Sequence, residues 1–170
     1  MQSLEKYPPR RIGLIGHSGA GKSTCLNNIY RISADAKEAD MDNVFDTSRC
    51  PPLSEAKEWM ISNGKRVFVV SNHFNMLKEI AVAREKSLHN DLFNQVYFVY
   101  LSTTIGEIEK RLLERDGYGK IRSEQNKQDA LKGYSDIDKL FRRIQDKTID
   151  TSGKTILSVT EEVIKLFDVI

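Results

Sequence analysis

The chain has 170 residues, of which 39% are hydrophobic and 29% charged, with four prolines and ten glycines. That length suits one domain with a sizeable buried core, and that balance excludes disordered and fibrous classes. With 26 basic and 24 acidic residues the net charge is +2, so neither a nucleic-acid partner nor an anionic membrane is expected, and no run approaches the ~20 apolar residues that span a bilayer. Cys25 and Cys50 lack metal-ligand spacing, and Met1–Arg11 lacks the apolar run of a signal peptide; free thiols in a cytoplasmic protein are the expectation.

Arg11–Gly16 (RIGLIG) is an apolar run entering a glycine-rich turn, which predicts a buried strand, and Lys22–Ile32 follows as a helix. Glu38–Met41 reads as a weak second strand. Ser54–Asn63 is helical in composition and closed by Gly64, and Arg66–Ser71 (RVFVVS) is the next apolar strand. Asn75–Lys86 is helical, and Val96–Leu101 (VYFVYL) is a fourth strand. Ser102-Thr103-Thr104 supply N-cap types for a helix over Gly106–Arg115. Asp116–Gly133 is polar and nearly without apolar periodicity. Ile137–Asp146 is helical, Thr148–Asp150 a short strand and Val159–Val169 a terminal amphipathic helix. Non-alternating apolar strands separated by helices predict an α/β fold, a parallel sheet covered on both faces, in a single domain over 1–170.

Gly16-His17-Ser18-Gly19-Ala20-Gly21-Lys22-Ser23 completes the pattern G-x-x-x-x-G-K-[ST] between that first strand and the first helix. The glycines admit backbone angles closed to other residues and bring amide hydrogens up to phosphate oxygens. The nest of N–H groups from Gly16, Ser18, Gly19, Ala20 and Gly21, continued by Lys22, Ser23 and Thr24 at the helix start, predicts a triphosphate site. Lys22 would neutralise the β- and γ-phosphates and the Ser23 hydroxyl would ligate Mg²⁺. His17 stands at a freely variable position of the loop and is expected to be exposed. Trp59, Phe68 and Tyr97 are expected in the core.

Asn126-Lys127-Gln128-Asp129 spells a guanine-reading pattern, but that role needs the end of a buried strand and Lys120–Gln125 (KIRSEQ) cannot form one. An ABC-type ATPase shares the loop sequence; it would need a longer chain and a Leu-Ser-Gly-Gly signature, so the sequence sets that class aside.

The order of elements, Asp40-Met41-Asp42 after the first helix, Arg111 and Arg115, and the closing segment Leu140–Gly153 together resemble the shikimate-kinase and nucleoside-monophosphate-kinase families. The resemblance implies a P-loop kinase fold: three layers α/β/α, a five-stranded parallel sheet in order 2-3-1-4-5, and a lid over 116–133. It also implies ATP and Mg²⁺ as cofactors and a small-molecule acceptor receiving the γ-phosphate on a hydroxyl or phosphate. Asp40 would orient Mg²⁺ through water, and Asp42 would take the acceptor's proton. Spaced by one residue at a strand end, the two carboxylates would share a face. Arg111 would stack on adenine, Arg115 or Arg122 would meet the transferring phosphate, and Thr151, Ser152, Gly153 and Lys154 would touch the adenine edge. Asn72 and His73 follow an apolar strand, and substrate crevices lie outside the carboxyl ends of parallel strands, so both are candidate acceptor contacts. Ser71-Asn72-His73-Phe74 replaces the glycine run of shikimate kinases, and Ile137 stands where their carboxylate-binding arginine falls. Shikimate is therefore not the expected acceptor, and Arg49 and Lys57 remain as anchors for an anionic one. The alternatives are a nucleoside or nucleotide kinase, and a non-kinase nucleoside-triphosphatase acting as a switch.

Overall fold

The computed structural model describes residues 10–45, 51–86, 92–116 and 124–170. Four strands form one parallel sheet in the order β2-β1-β3-β4: β1 (Arg11–Ile15), β2 (Val67–Val69), β3 (Val96–Ser102) and β4 (Lys147–Asp150). The central pairs are set by apolar residues, with Leu14 opposite Val69 on one side and Val99 on the other. Each of these three side chains is buried, as continuous apolar strands require when both faces of the sheet are covered.

The expected second strand contracts to one parallel bridge, Asp40 to Val69, where the Val69 amide donates to the Ala39 carbonyl at 2.8 Å. Helices α2 (Ala34–Glu38) and α3 (Met41–Val44) flank it. The physical reason lies in the sequence: Ala-Asp-Ala-Lys-Glu favours a helical turn, and the Asp40 carboxylate accepts the Asp42 amide at 3.0 Å, capping α3. Counting this bridge, the order 2-3-1-4-5 holds, with a second member one residue long. Asp42 is thus in the first turn of a helix and shares no strand face with Asp40.

The remaining helices are α1 (Lys22–Ile29), α4 (Leu53–Ser62), α5 (Phe74–Lys86), α6 (Ile105–Asp116), α7 (Glu124–Ile144) and α8 (Ile156–Lys165). They complete a three-layer arrangement in which α1 packs on α8 and α5 on α7. The core runs through Ile12, Leu14, Phe68, Phe98, Leu101 and Phe141, all buried, and Trp59 packs edge-on against Phe68. No helix among the described residues is long and apolar enough to cross a membrane.

Helix α7 starts at Glu124, well before the expected Ile137. The stretch Glu-Gln-Asn-Lys-Gln-Asp-Ala-Leu-Lys is rich in helix formers but carries no apolar stripe, so periodicity is silent there while propensity is not. Residues 117–123 of the expected lid lie outside the described residues.

Candidate functional site

The loop after β1 turns back sharply into α1. Gly16, Gly19 and Gly21 have φ of 156°, 83° and 96°. A Cβ at Gly16 would stand 2.8 Å from the Leu101 carbonyl oxygen of β3, closer than real Cβ atoms approach backbone. Gly21 caps α1 in the left-handed conformation and contributes no side chain, so no side-chain cap competes with an anion for the helix's first N–H groups.

Lys22 is folded under this loop, donating to the carbonyls of Gly16 and, at 2.9 Å, His17. Burial lowers its pKa to about 8, against the opposing pull of Asp42 and Asp40. These carbonyls hold the ammonium where a phosphate would take over.

In the first turn of α1, the Ser23 hydroxyl donates to the Asp40 carboxylate at 2.9 Å. A hydroxyl and a carboxylate, with no nitrogen or sulfur donor, make an oxygen set suited to Mg²⁺, which takes one or two protein carboxylates and completes its shell with phosphates and water. The residues present fit that ion beside a phosphate held by the loop.

On the other side of the loop, Arg111 of α6 makes a clamp. Its guanidinium donates to the Thr151 hydroxyl and carbonyl, both at 3.1 Å, to the Gly19 carbonyl at 3.4 Å, and to Glu107 at 3.1 Å. Thr151 is fixed in turn: its amide donates to the Ser102 carbonyl at 2.8 Å and its hydroxyl to the same oxygen at 3.1 Å. One fork therefore ties the end of β4 to the glycine loop.

These groups open on a cleft of about 830 Å³, within the usual range of small-ligand sites. It brings together Ser18, Gly19, Ala20, Gly21, Lys22, Ser23, Thr24, Asp40, Asp42, Asn72, Arg111, Thr151 and Lys154. Gly16 lies beneath it as the carbonyl that holds Lys22. Ser152, Gly153 and His73 are not on its wall; the His73 carbonyl instead accepts the Leu77 amide at the start of α5. The Lys57 ammonium sits over the Phe93 ring, 4.7 Å from its centroid, and is not on the cleft wall either. Arg49 and Arg122 lie outside the described residues, as does the side chain of Arg115, whose backbone is in α6. Asn126–Asp129 lies inside α7 rather than after a strand, so it does not have the placement that guanine recognition needs.

Asn43, Val69, Glu107, Lys110, Ile156 and Val159 also line the cleft and were not singled out from the sequence. The spacing of Glu107, Lys110 and Arg111 on one helix face was a usable signal once Arg111 was suspected. His17 is a correction: it is buried, 6% exposed, with its ring edge-on to Phe141 at 5.0 Å and Nε2 4.0 Å from the Asp138 carboxylate. Burial lowers its pKa to about 4 in spite of Asp138.

Among solved structures, an uncharacterized protein from Eubacterium ventriosum ATCC 27560 is similar over 95% of this chain and 99% of its own, with 13% identity and a TM-score of 0.50. At that identity the likeness shows the fold alone. Thymidylate kinase from Candida albicans is similar over 94% of this chain and 91% of its own, at 16% identity and a TM-score of 0.45, a likeness that says nothing of activity. No curated protein matches. The family model described as ABC transporter matches residues 2–160. Its match overturns the sequence argument that set this class of ATPase aside for want of length and of a Leu-Ser-Gly-Gly signature. The chain belongs to this ABC transporter family, and its fold is that of a P-loop nucleoside-triphosphatase.

Proposed function

We propose that the protein transfers the γ-phosphate of ATP, with Mg²⁺, to a hydroxyl or phosphate of a small metabolite. The carrying observation is that Asp42 and Asn72 open on the same cleft as the glycine loop, on the β2 side, opposite the Arg111–Thr151 clamp on the β3–β4 side. A nucleotide laid from the clamp across the loop leaves that far side for a second substrate.

The loop amides and Lys22 hold the phosphates, and Ser23 and Asp40 would hold Mg²⁺, which would supply neutralisation of phosphate charge. Asp42 accepts the proton of the attacking hydroxyl, and Arg111 and Thr151 flank the adenine base. Positioning and charge neutralisation account for most of the catalysis in such a transfer.

Family membership supports a second reading, hydrolysis of ATP without an acceptor. The deciding experiment is ADP release from Mg²⁺ and ATP with and without a panel of nucleosides, sugars, polyols and their phosphates. A kinase releases ADP in proportion to added acceptor; release at the same rate without any acceptor contradicts the proposal.

A further inference from the structure

The two ends of the cleft differ in charge. Its described cations are Lys22, Lys110, Arg111 and Lys154. Lys22 belongs to the phosphate loop, and the other three come from α6 and the segment after β4, on the β3–β4 side of that loop. On the β2 side the described wall is Asp40, Asp42, Asn43, Val69 and Asn72: two carboxylates, two amides and a valine that is itself almost wholly buried.

One atom there is unsatisfied. The Asn72 carboxamide oxygen is buried and has no hydrogen-bond partner. A buried acceptor left unpaired is costly, and a turn of the half-buried Asn72 side chain toward the cleft would let a ligand's O–H or N–H recover that cost. A ligand bringing another acceptor does not.

We propose that this half of the cleft selects an uncharged or ammonium-bearing polyhydroxyl compound, such as a sugar, cyclitol, amino sugar or nucleoside, and rejects carboxylates and phosphate monoesters. The proposal rests on the kinase reading and narrows it. The acceptor donates one hydroxyl to Asp42 and a second O–H or N–H to Asn72. In the transfer, the Asp42-bound hydroxyl oxygen forms a bond to the γ-phosphorus of ATP. The bond from that phosphorus to the β–γ bridging oxygen breaks and its electron pair leaves with ADP, while the hydroxyl proton passes to the Asp42 carboxylate and then to water. A second anion on the acceptor would stand among Asp40, Asp42 and the γ-phosphate with no described cation to meet it, and like charges in a partly desolvated site repel strongly.

The test uses matched acceptors in the ADP-release assay: glucose against glucuronate and glucose 6-phosphate, glucosamine against glucosamine 6-phosphate, thymidine against thymidine monophosphate, and inositol against inositol monophosphate. In the pair that turns over, the member without the anion is expected to have a kcat/KM at least about tenfold higher, which corresponds to one lost charge-assisted or hydrogen-bonding contact. Asn72→Leu is expected to raise the acceptor KM about tenfold or more while the affinity for Mg²⁺ and ATP, measured by titration, stays unchanged. That unchanged affinity shows the variant is folded. Preference for the anionic members, or an acceptor KM indifferent to Asn72→Leu, overturns this inference and leaves the kinase reading standing. Bound ATP with no turnover of any acceptor overturns both.

Discussion

The imidazole of His17 lies flat on the phenol ring of Tyr134, with centroids 4.0 Å apart and planes 11° from parallel. The glycine loop and α7 are thus joined through a side chain that the P-loop pattern leaves free. Tyr134 is held in turn by its hydroxyl, which donates to the Thr103 carbonyl at 2.6 Å, and Asp138 one turn on accepts from Arg142 at 2.9 Å and from the Tyr100 hydroxyl.

This contact predicts a pH dependence. Folding lowers the pKa of His17 from 6.5 to about 4, chiefly by burial, so the folded state prefers the neutral ring. The contribution is present above about pH 6.5 and is lost as pH falls toward 4, where the unfolded chain binds the extra proton. Allowing for solvent screening, the loss is roughly 1–2 kcal/mol. Urea unfolding at pH 7.5 and pH 5 checks it: His17→Phe keeps a stacking ring and is expected to reduce the fall in stability by that amount. An equal fall in both proteins contradicts the assignment.

Lys22 carries a second pH effect, of opposite direction in ligand affinity. Without nucleotide, burial holds its pKa at about 8. A bound triphosphate favours the ammonium and raises that pKa, so binding above pH 8 takes up a proton and affinity falls as pH rises, by up to about tenfold per unit. Calorimetry in buffers of different ionisation enthalpy reads the proton uptake directly. Affinity constant from pH 7 to 9.5 would show that Lys22 stays charged in the free protein.

Gly16→Ala is expected to destabilise the fold even without nucleotide. The new Cβ would meet the Leu101 carbonyl at 2.8 Å, and that carbonyl belongs to the central strand β3. Backbone cannot move aside cheaply, and a loss of about 2 kcal/mol or more follows, several degrees in Tm. A Tm within about a degree of the unsubstituted protein contradicts the close approach.

Arg111→Ala removes the fork between Gly19 and Thr151 and is expected to weaken ATP binding about ten- to hundredfold, the worth of charge-assisted hydrogen bonds. Arg111→Lys should recover only part of it, since an ammonium cannot reach both oxygens of Thr151 and the loop together. Full recovery by lysine would show that charge alone matters there.

The sequence made the fold legible where burial is two-sided: the apolar runs at β1, β2 and β3 cannot sit elsewhere, while the strand order came from the family resemblance. The loop Gly16–Ser23 named the phosphate site because its chemistry fixes residue types at fixed spacing. Two things were illegible for physical reasons. Asp40 pairs with Val69 through backbone, which any residue does, so a single bridge leaves no pattern and the segment read as a strand. His17 is buried by Tyr134 and Phe141, more than 100 residues away in the chain, and such a contact is invisible to local composition. Asp42 and Asn72 could be picked out because one follows a capping aspartate and the other follows an apolar strand, and both line the cleft, while Asn43 carried no signal beyond its neighbour.

The central claim is that the glycine loop and Lys22 hold a nucleoside triphosphate with Mg²⁺ at Ser23 and Asp40, and equilibrium titration with ATP tests it most directly. Saturable binding is expected with one ATP per chain, strengthened by Mg²⁺ in the unsubstituted protein, insensitive to Mg²⁺ in Asp40→Asn and lost in Lys22→Ala. Binding that is absent, or that survives Lys22→Ala undiminished, contradicts it.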